Sequence, residues 1–459
     1  MFIPKILKTI SASLHKHHAK AILVGGSVRD HFLQLRIKDY DIEVYGLEHL
    51  EQLETILSEY GSVNLVGKSF GVLKFVYENE EYDFSFPRFE SKVAKGHRGF
   101  AITTDGSMTF EQAALRRDFT INAMGYDVEE KRFLDPFNAR KDMDDGLLRH
   151  IDDDSFIEDP LRVYRAVQFS ARFDYALAPE TKKLCIKMVK ERMLEELPQE
   201  RVYTEFEKLL LKSAKPSIGF ELLRELGVLS YFPELLAIID VPQDPKWHPE
   251  GDVWVHTMMS IDAMVKLLGE DKKQNLKYMF AILCHDFGKA TTTTIEDDGR
   301  IRAIGHEYEG MEPAKSFMYR LTQEHAFVES ILSLVKHHLK PSQFYAAKSK
   351  NRAIRKLATK VNIEELVIVA EADFLGRTTE ESLQGDYKAG VWLLEKAIGL
   401  NVQNRPLDNF LQGRDLIDLG LTPSPKFKMI LDAIYSLQIE GVIRTKEEAL
   451  EQVKKVFIL

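Results

Sequence analysis

Hydrophobic residues change their period near residue 156, and no single layer of secondary structure suits both parts of this chain. Before that point the apolar runs are short. Ala21-Ile22-Leu23-Val24 is stopped by Gly25-Gly26, Ile42 to Tyr45 is a second run, and Val72 to Val76 and Tyr82 to Phe86 alternate as strands do. Residues 3–17 and Glu48 to Tyr60 carry helical spacing, and the polar, glycine-punctuated stretch Arg88 to Ser107 predicts a mobile loop. Beyond residue 156 the strand signal nearly vanishes and 3.6-residue periods run to the end. The expected fold class is α+β, a small α/β head followed by an all-α neck, body and tail. A chain of 459 residues exceeds one ordinary core, and the expected segments are 1–150, 151–240, 241–400 and 401–459.

Composition narrows the partners. Hydrophobic content of 44% and charged content of 29% describe a soluble globular protein. A net charge of -9 argues against indiscriminate coating of nucleic acid, although a local basic groove can sit on an acidic body. Cys185 and Cys284 form neither a metal spacing nor a disulfide framework, which fits a reducing cytoplasm. No apolar run approaches the roughly 20 residues that span a bilayer, so no membrane partner is expected. The N-terminus lacks the apolar core and cleavage site of an export signal. Oligomeric state is not legible.

Between the first strand and the helix after it lies Gly25-Gly26-Ser27-Val28-Arg29-Asp30. Two glycines let a ligand approach the backbone, a helix N-terminus offers free N–H groups to phosphate, and Arg29 adds a forked cation. Asp39-Tyr40-Asp41 follows on the next strand pattern, where residues i and i+2 share a face. Paired carboxylates repel unless a cation sits between them, and Mg²⁺ held by one or two carboxylates plus substrate phosphates is the usual arrangement. Asp83 offers a third carboxylate from a neighbouring strand. The alternatives are a plain turn and a solvated acidic turn.

With Arg116-Arg117-Asp118-Phe119-Thr120-Ile121-Asn122, Glu158-Asp159-Pro160-Leu161-Arg162 and Pro198-Gln199-Glu200-Arg201-Val202, these motifs resemble the bacterial class II tRNA nucleotidyltransferases of the polymerase β superfamily. The resemblance implies that Asp39 and Asp41 hold catalytic Mg²⁺, with Asp83 as the third acid. It implies that Gly25, Gly26, Ser27 and Arg29 meet the nucleotide, and that Arg116, Arg117, Asp118 and Asn122 order its ribose side. Glu158, Arg162 and Arg165 are spaced to share one helix face, with Asp159 three residues before Arg162. A carboxylate accepts from an exocyclic amine and a guanidinium donates to a ring nitrogen, an edge that cytosine and adenine present and uracil and guanine do not. Asp159 with Arg162 would therefore accept CTP and ATP; a surface salt-bridge ladder is the rival reading. In the family this helix acts as a protein template, with Arg165 also at the nucleotide. Gln168 stands where many relatives carry arginine, and Ser424 and Lys428 where many carry glycine.

Seven of the 14 histidines fall between His248 and His338. The ordered set His256, His285-Asp286, His306, His337 and Asp373, near the ends of apolar helices, suits a metal site inside a helical bundle. It resembles the HD phosphohydrolases, whose four ligands map onto His256, His285, Asp286 and Asp373. His306 and His337 would serve a second metal, and Lys289 would steady a phosphate. The metal is a divalent transition ion or Mg²⁺. The leading expectation is addition of CCA to tRNA from CTP and ATP, plus a phosphohydrolase. Its rivals are an A-adding or CC-adding enzyme, a bacterial poly(A) polymerase, and an HD nucleotide hydrolase or signalling protein with an RNA-binding head. The 88–107 stretch is expected to move as one pocket switches from C to A.

Overall fold

The computed structural model describes residues 1–66, 71–92, 100–104 and 107–458. The chain forms two compact bodies, Met1–Val228 and Leu229–Leu459. In the first, strands β1 (Lys20–Val24), β2 (Tyr40–Tyr45), β3 (Ser62–Val66), β4 (Val72–Tyr77), β5 (Glu80–Ser85), β8 (Gly125–Asp127) and β9 (Arg132–Leu134) form one sheet in the order β3-β4-β5-β2-β1-β8-β9. The sheet is antiparallel except where β2 runs parallel to β5. Helices Lys5–Lys16 and Leu50–Ser58 supply apolar residues to the core beside Leu23, Ile42, Val44 and Phe75.

The unbroken apolar run of β1 reflects burial on both of its faces. Ala21 and Leu23 join the core with the two helices, whereas Ile22 and Val24 pack with Tyr45, Met108 and Ala113 on the opposite face. Along β2 the same alternation sends Ile42 and Val44 to the helix side and puts Asp41, Glu43 and Tyr45 on the other. The first face is core, and the second carries the chemistry.

The expected loop at 88–107 is in part a ribbon. Strands β6 (Arg88–Lys92) and β7 (Phe100–Thr104) pair antiparallel, from Arg88 opposite Thr104 to Lys92 opposite Phe100. Residues 93–99 and 105–106, the centre of the expected moving segment, lie outside the described residues.

The neck also departs from the single helix that the spacing predicts. Asp153–Glu158 and Leu161–Phe173 are separate helices, and Asp159 joins them in an extended conformation (φ -119°, ψ 96°). Pro160 explains the break, since the residue before a proline is pushed out of the helical region. Glu158 therefore does not share a helix face with Arg162 and Arg165.

In the second body, helices Val253–Val265, Lys272–Cys284, His325–His337 and Ile363–Leu375 pack on one another. Asp252, Asp271 and Asn362 cap three of them, each accepting from the backbone N–H three residues on. Leu276 and Tyr278 to Cys284 are buried almost continuously because that helix has neighbours on several sides. Gly413–Asp418, Lys426–Glu440 and Lys446–Val453 close the body around Leu416, Ile430, Ile434 and Val453.

Candidate functional site

Register brings the head carboxylates together. Asp41 on β2 lies directly beside Asp83 on β5 and opposite Val24 at the end of β1. Asp39 is exposed just before β2, and Asp41 keeps an open side to solvent. Protein crowding nevertheless raises the Asp41 pKa above the usual carboxylate value, first by desolvation and then by the charges of Asp83, Asp39 and Glu43, against the lowering by Arg117. A carboxylate crowded by other carboxylates in this way suits a bound cation. Gly25 turns the chain beside them at φ 66°, and a Cβ there would stand 3.1 Å from Arg117 Nη1. Any larger residue would be strained by that φ and pressed against that guanidinium.

Behind the acidic edge runs a chain of buried polar contacts. Glu43, two residues beyond Asp41, is 3% exposed and accepts from Arg117 Nη2 (2.9 Å), Arg116 Nη2 (3.3 Å) and the Tyr45 hydroxyl (2.7 Å). Burial pushes its pKa up, but the two arginines more than offset this and hold it below normal. Glu43 was not singled out in the sequence, although the i, i+2 rule that pairs Asp39 with Asp41 extends to it. Arg29 is also buried. Its fork donates to Asp30 Oδ1 (2.8 and 2.6 Å) and Asn122 Oδ1 (2.7 Å), and it lies over the Phe169 and Phe173 rings. The structure thus makes Arg29 a brace behind the glycine turn rather than a cation presented at the surface. Asn122 Nδ2 donates to Asp118 Oδ1 (3.0 Å), and Arg165 Nε donates to Asp118 Oδ2 (2.6 Å). The neck helix is therefore tied to the head through Arg29, Asn122, Asp118 and Arg165. Ser27 is buried and donates to Val24 O (3.2 Å).

At the helix break, Asp159 is held by a residue that the base-reading argument did not use. Arg201 Nη1 and Nη2 donate to its two oxygens at 3.2 and 2.8 Å, and Leu161 N donates to Oδ1 at 3.2 Å. Arg162 donates instead to Ser155 O (2.8 Å), Ser155 Oγ (3.2 Å) and Arg116 O (2.5 Å). Gln168, in the arginine position, is buried at 1% and its Nε2 has no hydrogen-bond partner among the described residues.

The second body brings four imidazoles around two carboxylates. His285, His306 and His338 each engage a main-chain carbonyl through Nδ1: Ile282 O (2.6 Å), Ala303 O (2.7 Å) and Val335 O (2.6 Å). A carbonyl only accepts, so each Nδ1 carries a proton and each ring turns its Nε2 inward. His256 is held from behind through Nδ1 by Glu250 Oε1 (2.8 Å), with Nε2 3.1 Å from Asp373 Oδ1. Ligand atoms of His256, His285 and Asp373 fall within 4.8 Å of one another, as do those of Asp286, His306 and His338. His285 Nε2 and both Asp286 oxygens are buried and have no well-formed hydrogen bond among the described residues, although Lys289 Nζ stands 2.7 Å from Asp286 Oδ2 as an ion pair. Buried acceptors left in this state, ringed by imidazoles, fit a divalent cation. Burial, then His285 and His306, pushes His338 down to about 3, so it stays neutral. Gly288 permits the fold of this centre, since a Cβ there would meet His306 O at 2.1 Å.

One expected ligand is corrected. His338, not His337, joins Asp286 and His306. Neighbouring helix positions point about 100° apart, which turns His337 away from the cluster. Burial and Lys360, Lys336 and Lys340 lower its pKa to about 4. Glu250, His248 and Arg377, which donates to Asp373 Oδ1 at 2.8 Å, were also missed. Only the fold brings them to the cluster.

Residues 21–149 match the family model described as the poly A polymerase head domain, 174–239 that of a probable RNA and SrmB-binding site of polymerase A, and 253–377 that of the HD domain. The chain is 35% identical over 403 residues to a multifunctional CCA protein of Mannheimia succiniciproducens, a match covering 84% of this chain and 92% of that one. It is 32% identical over 444 residues to that of Thioalkalivibrio sulfidiphilus, covering 94% and 99%. Its fold is similar to the Bacillus stearothermophilus CCA-adding enzyme in complex with CTP (TM-score 0.66, 21% identity, 98% and 97% covered). It is also similar to the Thermotoga maritima CCA-adding enzyme complexed with tRNA (TM-score 0.61, 21% identity, 99% and 96% covered).

Proposed function

The chain belongs to the multifunctional CCA protein family, and from that premise we propose that it adds CCA to the 3′ end of tRNA from CTP and ATP and hydrolyses phosphoesters in its HD domain. The observation that carries the first activity is the juxtaposition of Asp41 and Asp83 on adjoining strands beside the Gly25 turn. Asp39, Asp41 and Asp83 would hold Mg²⁺, which would supply positive charge to the transferred phosphate. Gly25, Gly26 and Ser27 let the triphosphate approach the backbone, while Glu43, Arg116 and Arg117 keep the edge of β2 in place. Arg29, Asn122, Asp118 and Arg165 lock the neck helix against that edge.

Residues 1–150 form the nucleotidyltransferase head, 151–240 the neck and body, 241–400 the HD domain and 401–459 the tail. No described helix is long and apolar enough to cross a membrane, and the free, buried Cys185 and Cys284 support work in the reducing cytoplasm. In the HD domain His256, His285 and Asp373 would hold one divalent cation, with Asp286 beside them, and Asp286, His306 and His338 would hold a second. A metal held there would supply the positive charge that activates a water near neutral pH. Incubation with tRNA ending at the discriminator base, with CTP and ATP, followed by sequencing of the products, tests the main reading. Complete CCA ends are expected, and growth only from a CC end would make this an A-adding enzyme instead.

Asp159 reads the base amine. Arg201 aligns its carboxylate bidentately and leaves lone pairs for an incoming donor. Asp159→Ala is expected to let UTP and GTP compete, because a wrong edge then leaves no carboxylate unpaired. Such a contact is worth roughly 1–3 kcal/mol of discrimination. Single-nucleotide incorporation ratios measure it, and an unchanged preference for CTP and ATP would return Asp159 and Arg201 to the status of a structural ion pair.

A further inference from the structure

The cavity at the histidine and carboxylate cluster of the second body has a volume of about 250 Å³. That is slightly below the roughly 300 Å³ at which ordinary ligand pockets begin. It has room for a cation and a phosphorylated sugar, and a nucleobase attached to that sugar would lie at the mouth. Trp247 lines the same cavity as Asp286, Lys289 and His338, yet is 56% exposed. A large ring left this far in water at the rim of a polar cavity gains most from a planar partner. Its position is set by the backbone. Trp247 N and His248 N both donate to Asp244 O (3.0 and 2.9 Å), and Lys246 N donates to Asp244 Oδ1 (3.0 Å). Lys246 Nζ lies over the ring, 5.1 Å from its centroid. The next residue, His248, is bonded through Nδ1 to Glu250 Oε1 (2.9 Å), the same oxygen that holds His256. The ring is thus tied to the metal-side histidine by a short run of chain.

We propose that Trp247 is the stacking platform for the base of a nucleoside phosphoester, so that this cavity selects nucleoside phosphates over phosphoesters that lack a ring. The inference rests on the phosphohydrolase reading of the HD domain and adds its specificity residue. The base could belong to a free nucleotide or to the last nucleotide of an RNA, and the chemistry at the ring is the same.

The test compares wild type, Trp247→Phe and Trp247→Ala on three substrates: 2′,3′-cyclic AMP, a short RNA ending in a 2′,3′-cyclic phosphate, and the base-free 1-O-methylribose 2′,3′-cyclic phosphate. Stacking of one base predicts a KM rise of roughly 5- to 150-fold for Trp247→Ala on a base-bearing ester, with kcat little changed. Trp247→Phe should stay near wild type, and the base-free ester should be hydrolysed alike by all three proteins. Whichever base-bearing ester shows the rise identifies the source of the base. A binding readout stands apart from hydrolysis. Adenosine 2′-phosphate added to metal-free protein should quench tryptophan emission in wild type and not in Trp247→Phe. Equal KM values in wild type and Trp247→Ala, or equal quenching in wild type and Trp247→Phe, would overturn the platform. If the metal-loaded wild type hydrolyses none of the three esters, the phosphohydrolase reading itself fails and the platform falls with it.

Discussion

Asp41→Ala is expected to reduce nucleotide addition by roughly 10³-fold or more while leaving phosphohydrolase activity intact. The side chain removed is the one in register with Asp83, and the charges of Asp39 and Glu43 act on it. Losing a metal clamp on developing phosphate charge costs several kcal/mol, and each 1.36 kcal/mol is tenfold in rate. Loss of fold does not explain such a drop. A carboxylate whose pKa is raised in the folded state costs stability at pH values above that pKa, so removing it should leave the melting temperature of metal-free protein unchanged or slightly higher. Primer extension on a tRNA lacking CCA, run beside hydrolysis of a cyclic phosphate, separates the two activities. Addition within about tenfold of wild type would place the catalytic metals elsewhere.

Asp286→Asn is expected to give the converse result, with CCA addition retained and phosphohydrolase activity reduced beyond the roughly 100-fold typical of outer-shell partners, because Asp286 contributes the ligand oxygens themselves. Burial pushes its pKa up, but His285, Lys289 and His306 around it hold it well below normal, with His285 Nε2 at 3.2 Å and His306 Nε2 at 3.3 Å. Metal content by mass spectrometry should fall in Asp286→Asn and His338→Ala, and remain at the wild-type level in His337→Ala. If His337→Ala loses metal and His338→Ala does not, the orientation of that helix end is wrong for the proposed second site. Unchanged metal in all three would make the cluster a set of core histidines.

The local signals that succeeded were those whose physics is local. Alternation placed Asp41 and Glu43 on one face of a strand, and the all-apolar run of β1 follows from burial on both sides. The brief strands β8 and β9 were missed because three residues are too few to show a period, and they exist through pairing with β1 and with each other. The 88–107 stretch carries loop residues, yet its ends pair as a ribbon because backbone hydrogen bonds between strands do not require apolar side chains. The neck shows the reverse error. Spacing alone made one helix of Glu158 to Arg165, and Pro160 broke it.

By itself the sequence determined the order of parts, an α/β head followed by helices, and the identity of most reactive side chains, because residue type and spacing carry that information. Tertiary structure decided how those side chains are used. It set Arg201 on Asp159, turned Arg29 inward to Asn122, and chose His338 over His337. It also brought Glu250 behind His256 and left Trp247 at the rim of the cavity. Each of these depends on contacts between residues distant in the chain or on the rotation of a helix about its axis. Local pattern does not encode either with the accuracy a hydrogen bond demands, since a 100° turn separates one position from the next.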